Sequence, residues 1–158
     1  MTRLGVTGHI HLTADTADLI RREFSTRLGR YGMGLVGVSC LAPGADTIFA
    51  AAVLAAGGRL EVILPARKYR DRGVPAEARD VFDGLLAQAE MVQVMSFEEP
   101  AADAYRAAND AVLSEIERLL AVWDGGVGGP GSTADMVNSA RGRGIPVDVV
   151  WPAGAHRA

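Results

Sequence analysis

An apolar run, a glycine-dense junction and a helix-like segment follow one another in 119-LLAVWDGGVGGPGSTADMVNSARGRG-144. The run 119-LLAVW-123 has the composition of a buried strand. Five glycines then fall between Gly125 and Gly131, with Ser132 and Thr133 where the helical pattern begins. Glycine loses the most conformational freedom on folding, so this density marks a tight turn or a close approach of backbone to another group. A helix that starts just beyond it points the free N–H groups of its first turn, and the positive end of its dipole, at whatever lies ahead. Residues 128–133 therefore read as a phosphate site. Gly128, Gly129 and Gly131 permit the approach, and Ser132 and Thr133 add hydroxyl donors or cap the helix.

The same alternation runs outward through the whole chain. Apolar strand-type runs occur at 3-RLGVT-7, 35-LVGVSCL-41, 60-LEVILP-65, 91-MVQVM-95, 119-LLAVW-123 and 147-VDVVW-151. Most are continuous rather than alternating, as in parallel strands covered on both faces. Five helical patterns separate them. Ile20, Phe24, Leu28 and Tyr31 mark the first; 45-ADTIFAAAVLAAGG-58, ending on a glycine pair, is the second. Val81, Phe82, Leu85 and Leu86 mark the third, Tyr105 to Leu119 the fourth, and a run from Ser132 to Gly142 or Gly144 the fifth. Strict alternation of six strands with five helices predicts one α/β domain over residues 1–158, a Rossmann-like, doubly wound parallel sheet with helices on both faces.

In such a sheet, ligands sit beyond the carboxyl ends of the strands, near the switch in strand order. That rule selects the loops 7-TGHIH-11, 39-SCLAPGAD-46, 65-PARKYR-70 and 123-WDGGVGGPGST-133. Gly8, His9, Ser39, Gly44, Asp46 and Asp124 thereby become candidate ligand-binding residues. His9 lines the first loop, where it contacts phosphate or holds the turn by hydrogen bonds. Asp46 either holds a ribose hydroxyl or caps the helix that begins there. Asp124 stands at the end of the fifth strand as a candidate carboxylate. Arg67, Lys68, Arg70 and Arg72 read as a solvated charged loop or as a clamp on phosphate. Gly126, Gly128 and Gly131 match the spacing of a dinucleotide fingerprint, but they follow the fifth strand rather than the first and lack the later acidic residue.

Composition excludes several classes of function. Of 158 residues, 49% are apolar and 22% charged, as in an ordinary globule, and the net charge of −3 argues against a nucleic-acid surface. No apolar run has the ~18 residues of a membrane span, and no secretory pattern opens the chain, so a cytoplasmic protein is expected. Cys40 is the single cysteine, and it reads as a small buried residue. His9 and His11 have no third partner in the sequence, so neither metal nor cofactor is expected.

The order of these motifs resembles the SMF/LOG-like (SLOG) superfamily: GVTGH after the first strand, S-x-L-A-x-G-A-D after the second, VILP in the third, and WDG…GG-x-G-S-T-A-D at the fifth. The resemblance spans roughly residues 3 to 152. It implies a Rossmann-like fold and a nucleotide or nucleotide-derived ligand. Its LOG-type branch implies a nucleoside 5′-monophosphate phosphoribohydrolase activity. The LOG-type pattern P-G-G-x-G-T-x-x-E falls on Gly128, Gly129, Gly131, Ser132 and Asp135, with Val127 at the proline and Asp135 at the catalytic glutamate. The related Y-x-x-R-N falls on Tyr105 and Asn109, with Ala108 at the arginine. Arg106 lies two residues away, about 200° around a helix. The resemblance thus makes Asp135 the candidate catalytic carboxylate and Asn109 a ligand-binding residue. A non-catalytic nucleotide sensor or carrier acting through a partner is the alternative. A homodimer is implied by the resemblance alone. The DNA-handling role of another branch is disfavoured by the acidic balance.

Overall fold

The computed structural model describes residues 1–158. The elements are β1 (Thr2–Gly8), α1 (Ala14–Leu28), β2 (Leu35–Ser39), α2 (Ala45–Ala55), β3 (Arg59–Leu64), α3 (Arg79–Ala87), β4 (Met91–Val94), α4 (Ala102–Leu113), β5 (Arg118–Val122), α5 (Thr133–Gly142) and β6 (Val147–Val149). All six strands form one sheet in the order β4-β3-β2-β1-β5-β6, and every pairing is parallel. The expected Rossmann-like doubly wound architecture is the observed one.

Side-chain period sorts the two faces. On one face Leu4 and Val6 of β1 and Leu120 and Val122 of β5 meet Ile20, Phe24 and Leu28 of α1 and Phe49 and Val53 of α2, all at most 3% exposed. The one-turn spacing of the α1 trio places it on a single stripe. Leu60, Val62 and Leu64 of β3 continue that face toward Phe82 and Leu85 of α3. On the opposite face Val38, Ile63 and Leu119 meet Ala108 and Val112 of α4 and Met136 and Ala140 of α5. The result is a three-layer sandwich. The two edge strands depart from cover on both faces: in β4 Met91, Val92 and Val94 are 44–51% exposed, and in β6 Val149 is 42% exposed. An edge strand has one neighbour, and α3 packs over β3 instead.

The topology decides where a ligand can enter. From β1 the chain builds outward through β2, β3 and β4, then returns through α4 to place β5 on the other side of β1. The loops after β1 and β5 therefore part at their carboxyl ends and leave a crevice, as at any switch point of a parallel sheet.

Candidate functional site

A cavity of about 640 Å³ opens at this crevice. It gathers residues from loops that are far apart in sequence, because parallel strands bring all their carboxyl ends to one edge. Its wall includes Gly8 and His9 after β1, Cys40 and Asp46 around the β2–α2 turn, Tyr69 after β3, Tyr105, Ala108 and Asn109 of α4, and Gly128 to Thr133 before α5, except Gly129 and Pro130.

The glycine junction is built around the cap of α5. Ser132 is the N-cap, and its Oγ accepts from the Asp135 N–H at 3.2 Å. Asp135 Oδ2 in turn accepts from the N–H of Gly131, the residue before the cap, at 2.8 Å. Gly128 lies so close over the cap that a Cβ there would stand 2.5 Å from Ser132 Oγ. The N–H groups of Thr133 and Ala134 take no acceptor in the protein, and both residues line the cavity. Asn109 Nδ2 reaches the Gly131 carbonyl at 3.5 Å and buttresses the loop from α4. Ser132→Ala is expected to lower stability by ~1 kcal/mol, the ordinary worth of an N-cap hydroxyl, measurable by chemical denaturation; an unchanged midpoint would show that the cap contributes nothing.

The β2–α2 turn is wound unusually tightly. Leu41 has φ 55° and Gly44 φ 88°, two left-handed residues in a four-residue span. Ser39 Oγ holds the first by accepting from the Leu41 N–H at 3.1 Å and donating to the Asp46 carbonyl at 3.2 Å. Asp46 is 7% exposed, and its Oδ2 accepts from the Ala42 N–H at 3.3 Å. Burial pushes its carboxyl up to about 7, only partly offset by the Ala42 hydrogen bond. Burial likewise pushes the Cys40 thiol up, so the thiol is protonated and inert as a nucleophile.

At the switch itself, His9 joins β1 to β5. Its N–H donates to the Val122 carbonyl at 3.1 Å, and its Nε2 accepts from the Asp124 N–H at 3.1 Å. Burial, and then the nearby Arg157, lower the pKa of the ring, against the opposing pull of Asp124. A neutral ring that accepts at Nε2 carries its proton on Nδ1. A second proton would turn Nε2 into a donor 3.2 Å from Asp124 Oδ1. Trp151 packs edge-on against the ring at 5.6 Å. The Gly126 N–H, then His9 and Arg157, hold the Asp124 carboxyl below the usual carboxylate range.

Of the thirteen residues expected at the site, eight line the cavity: Gly8, His9, Asp46, Asn109, Gly128, Gly131, Ser132 and Thr133. The other five stand behind the wall or beside it. Ser39 and Gly44 shape the β2–α2 turn, Asp124 anchors His9, and Gly129 is open to solvent. Asp135 is turned to the Gly131 N–H and to Arg106, whose Nε is 3.5 Å from Oδ2. The 200° offset of Arg106 fixes the direction of its Cβ alone; its long side chain crosses the remaining distance to Asp135 once the loop lies beside α4. Tyr69 of the selected loop 65–70 and Tyr105 of the Y-x-x-R-N match also line the cavity, and Arg157 lines it unexpectedly. Arg157 arrives because the C-terminal segment folds back on the β1–α1 loop, with an antiparallel bridge from Leu12 to Arg157. The four cations after β3 do not form a free clamp. Arg67, Lys68 and Arg72 pair with Glu98 and Glu99, and Arg70 with Asp71 and Asp83.

A six-stranded parallel sheet with a crevice at the β1–β5 switch defines a Rossmann-like fold. No family model and no curated protein matches the chain. Solved structures do. DNA processing protein A from Streptococcus pneumoniae is similar at 18% identity and a TM-score of 0.70, over 98% of this chain and 52% of that one, so the chain spans about half of that protein's length. DNA processing protein A from Helicobacter pylori, whose structure concerns a single-stranded DNA binding mode, is similar at 17% identity and a TM-score of 0.69, over 99% and 68%. The molybdenum cofactor binding protein of the phototrophic bacterium Rippkaea orientalis is similar at 16% and 0.61, over 94% and 75%. At 16–18% identity these likenesses show the fold alone, and this chain shares their Rossmann-like fold.

One expectation is overturned by these structures. The acidic balance argued against nucleic acid as a partner, yet two of the similar structures are DNA processing proteins and one concerns single-stranded DNA. Net charge averages over the whole surface, whereas binding is decided by the local field. No helix of the structure is long and apolar enough to cross a membrane.

Proposed function

We propose that the chain binds a phosphate-bearing nucleotide or nucleotide-derived ligand in the β1–β5 crevice, as a binding module rather than an N-glycosidase. One observation carries this reading: the two unpaired N–H groups of Thr133 and Ala134, at the positive end of α5, open on a cavity of about 640 Å³. That volume suits a small ligand, and Tyr69 and Tyr105 also line it. The hydrolase alternative needs a carboxylate against the ribose, and Asp135 is engaged by Gly131 and Arg106 instead. The output of such a module is contact with a partner.

A second reading makes the nucleotide one unit of a single-stranded nucleic acid. The similarity to two DNA processing proteins over nearly the whole chain favours it. Thermal unfolding with nucleotides and with short oligonucleotides separates the two. A ligand at ~100 times its Kd stabilises by about 2.7 kcal/mol, or roughly 5–10 °C at this chain length. A shift with mononucleotides and no free base on chromatography is the expected result. Base release would restore the hydrolase, a shift with oligonucleotides alone would select the second reading, and no shift with either would remove the site.

A further inference from the structure

We propose that Asp46 is the ligand-selecting group of the cavity: its free Oδ1 accepts a hydrogen bond from a hydroxyl or ring N–H at the neutral end of the nucleotide. This rests on the nucleotide reading above and adds to it the residue that discriminates among ligands.

Asp46 has an incomplete hydrogen-bond set. Asp46 is 7% exposed, and the only hydrogen bond its carboxyl accepts is the one from the Ala42 N–H to Oδ2. No sealed side-chain nitrogen or oxygen in the protein lacks a partner, so the unpartnered Oδ1 is not sealed; it opens on the cavity that Asp46 lines. A carboxylate with one oxygen satisfied and the other facing a cavity is complete only when a donor enters.

The cap function does not account for it. Gly44 is the N-cap of α2, and Asp46 lies inside the first turn, where its carboxyl turns back to Ala42. That role uses Oδ2 and leaves Oδ1 idle. No salt bridge compensates the buried charge, and burial pushes the carboxyl up to about 7. The titratable groups that face it are Cys40 of its own turn and Tyr69 after β3, both kept neutral by burial. His9, Glu77, Tyr105 and Arg157 line the same cavity, as does His11. Tyr69 and Tyr105 meet edge to face with centroids 6.3 Å apart, giving this part of the cavity an aromatic wall suited to a base.

The two sources of the donor are separable. AMP, GMP and their 2′-deoxy forms are titrated calorimetrically into the full chain and into Asp46→Asn and Asp46→Ala, at pH 6.5 in two buffers of different ionisation enthalpy. A donor that binds the ionised carboxyl displaces its proton, so the wild type is expected to release protons on binding. Asp46→Ala is expected to bind about 10- to 100-fold more weakly, the range of a hydrogen bond to a charged group. Asp46→Asn keeps an acceptor oxygen and is expected to bind within a few-fold of wild type with no proton release. Loss of the ribose-over-deoxyribose preference in Asp46→Ala assigns the donor to a hydroxyl; loss of the difference between AMP and GMP assigns it to the base. Equal binding by wild type and Asp46→Ala overturns the assignment of Asp46 alone. If Asp46→Ala does not fold, proton release by Asp46→Asn equal to wild type overturns it as well. Failure of all four nucleotides to bind the wild type overturns the nucleotide reading, and this inference with it.

Discussion

Gly44→Ala is expected to lower stability by ~3 kcal/mol or more, because two costs coincide at that residue. Its φ of 88° and ψ of −124° lie in a region that side-chain-bearing residues rarely enter, worth ~1–3 kcal/mol in strain. A Cβ would also stand 2.8 Å from the His9 carbonyl oxygen, 2.9 Å from that of Ile10 and 3.0 Å from the Ile10 Cα. All three are backbone atoms and cannot rotate away, so overpacking adds ~1–3 kcal/mol. The Ala45 N–H donates to the same His9 carbonyl at 3.3 Å, so relief of the clash would pull α2 off the β1 loop. The damage is then shared by the turn that carries Asp46 and the loop that carries His9. Urea denaturation followed by circular dichroism measures it. A loss under 1 kcal/mol would mean that the β2–α2 turn relaxes freely and is not the rigid wall described above.

Asp46→Asn is expected to make the protein more stable at pH 8 and to flatten its pH dependence. In the folded protein the carboxyl is raised to about 7 from its ordinary 3.8. The folded state therefore binds the proton more tightly than the unfolded state between those two values. By linkage, stability falls as pH rises from about 4 to about 7, and is level beyond. Each pH unit in that window is worth about 1.4 kcal/mol, so the ionised form costs ~4 kcal/mol at pH 8. The asparagine amide keeps an oxygen for the Ala42 N–H and carries no charge to desolvate. Denaturation midpoints at pH 5 and pH 8 decide the matter. Equal pH slopes in wild type and variant would place the titration elsewhere. A gain in stability on removing a cavity-lining carboxylate is what a group kept for binding, rather than for folding, produces.

Much of this structure was legible beforehand because it depends on local order. Continuous apolar runs separated by helical stripes specify buried parallel strands and their crossovers, and each observed strand falls within a residue or two of the expected one. The rule that ligands gather at the carboxyl ends of such strands then named the loops that line the cavity. The Ser132 cap and the glycine junction were readable for the same reason: capping is a relation between residues three apart. The edge position of β4, by contrast, depends on the strand order, which no local pattern records. Its four residues look like a buried strand and are exposed.

Contacts between separate elements lay beyond that reading. Asp135 looks alike in sequence whether it faces a ribose or braces the loop before its helix; only the folded chain brings its carboxylate to the Gly131 N–H and to Arg106 of α4. Arg157 belongs to the cavity only because the C-terminal segment pairs back on Leu12. Glu98 and Glu99, some thirty residues downstream, pair with three of the cations after β3, Arg67, Lys68 and Arg72. Asp46 shows the division most plainly. The sequence by itself determined that an aspartate would stand at the start of α2, on the ligand edge of a parallel sheet, because periodicity and turn chemistry are local. Only the tertiary structure decided that it would be buried, bonded through one oxygen and open through the other, because desolvation depends on which distant surfaces close around a group.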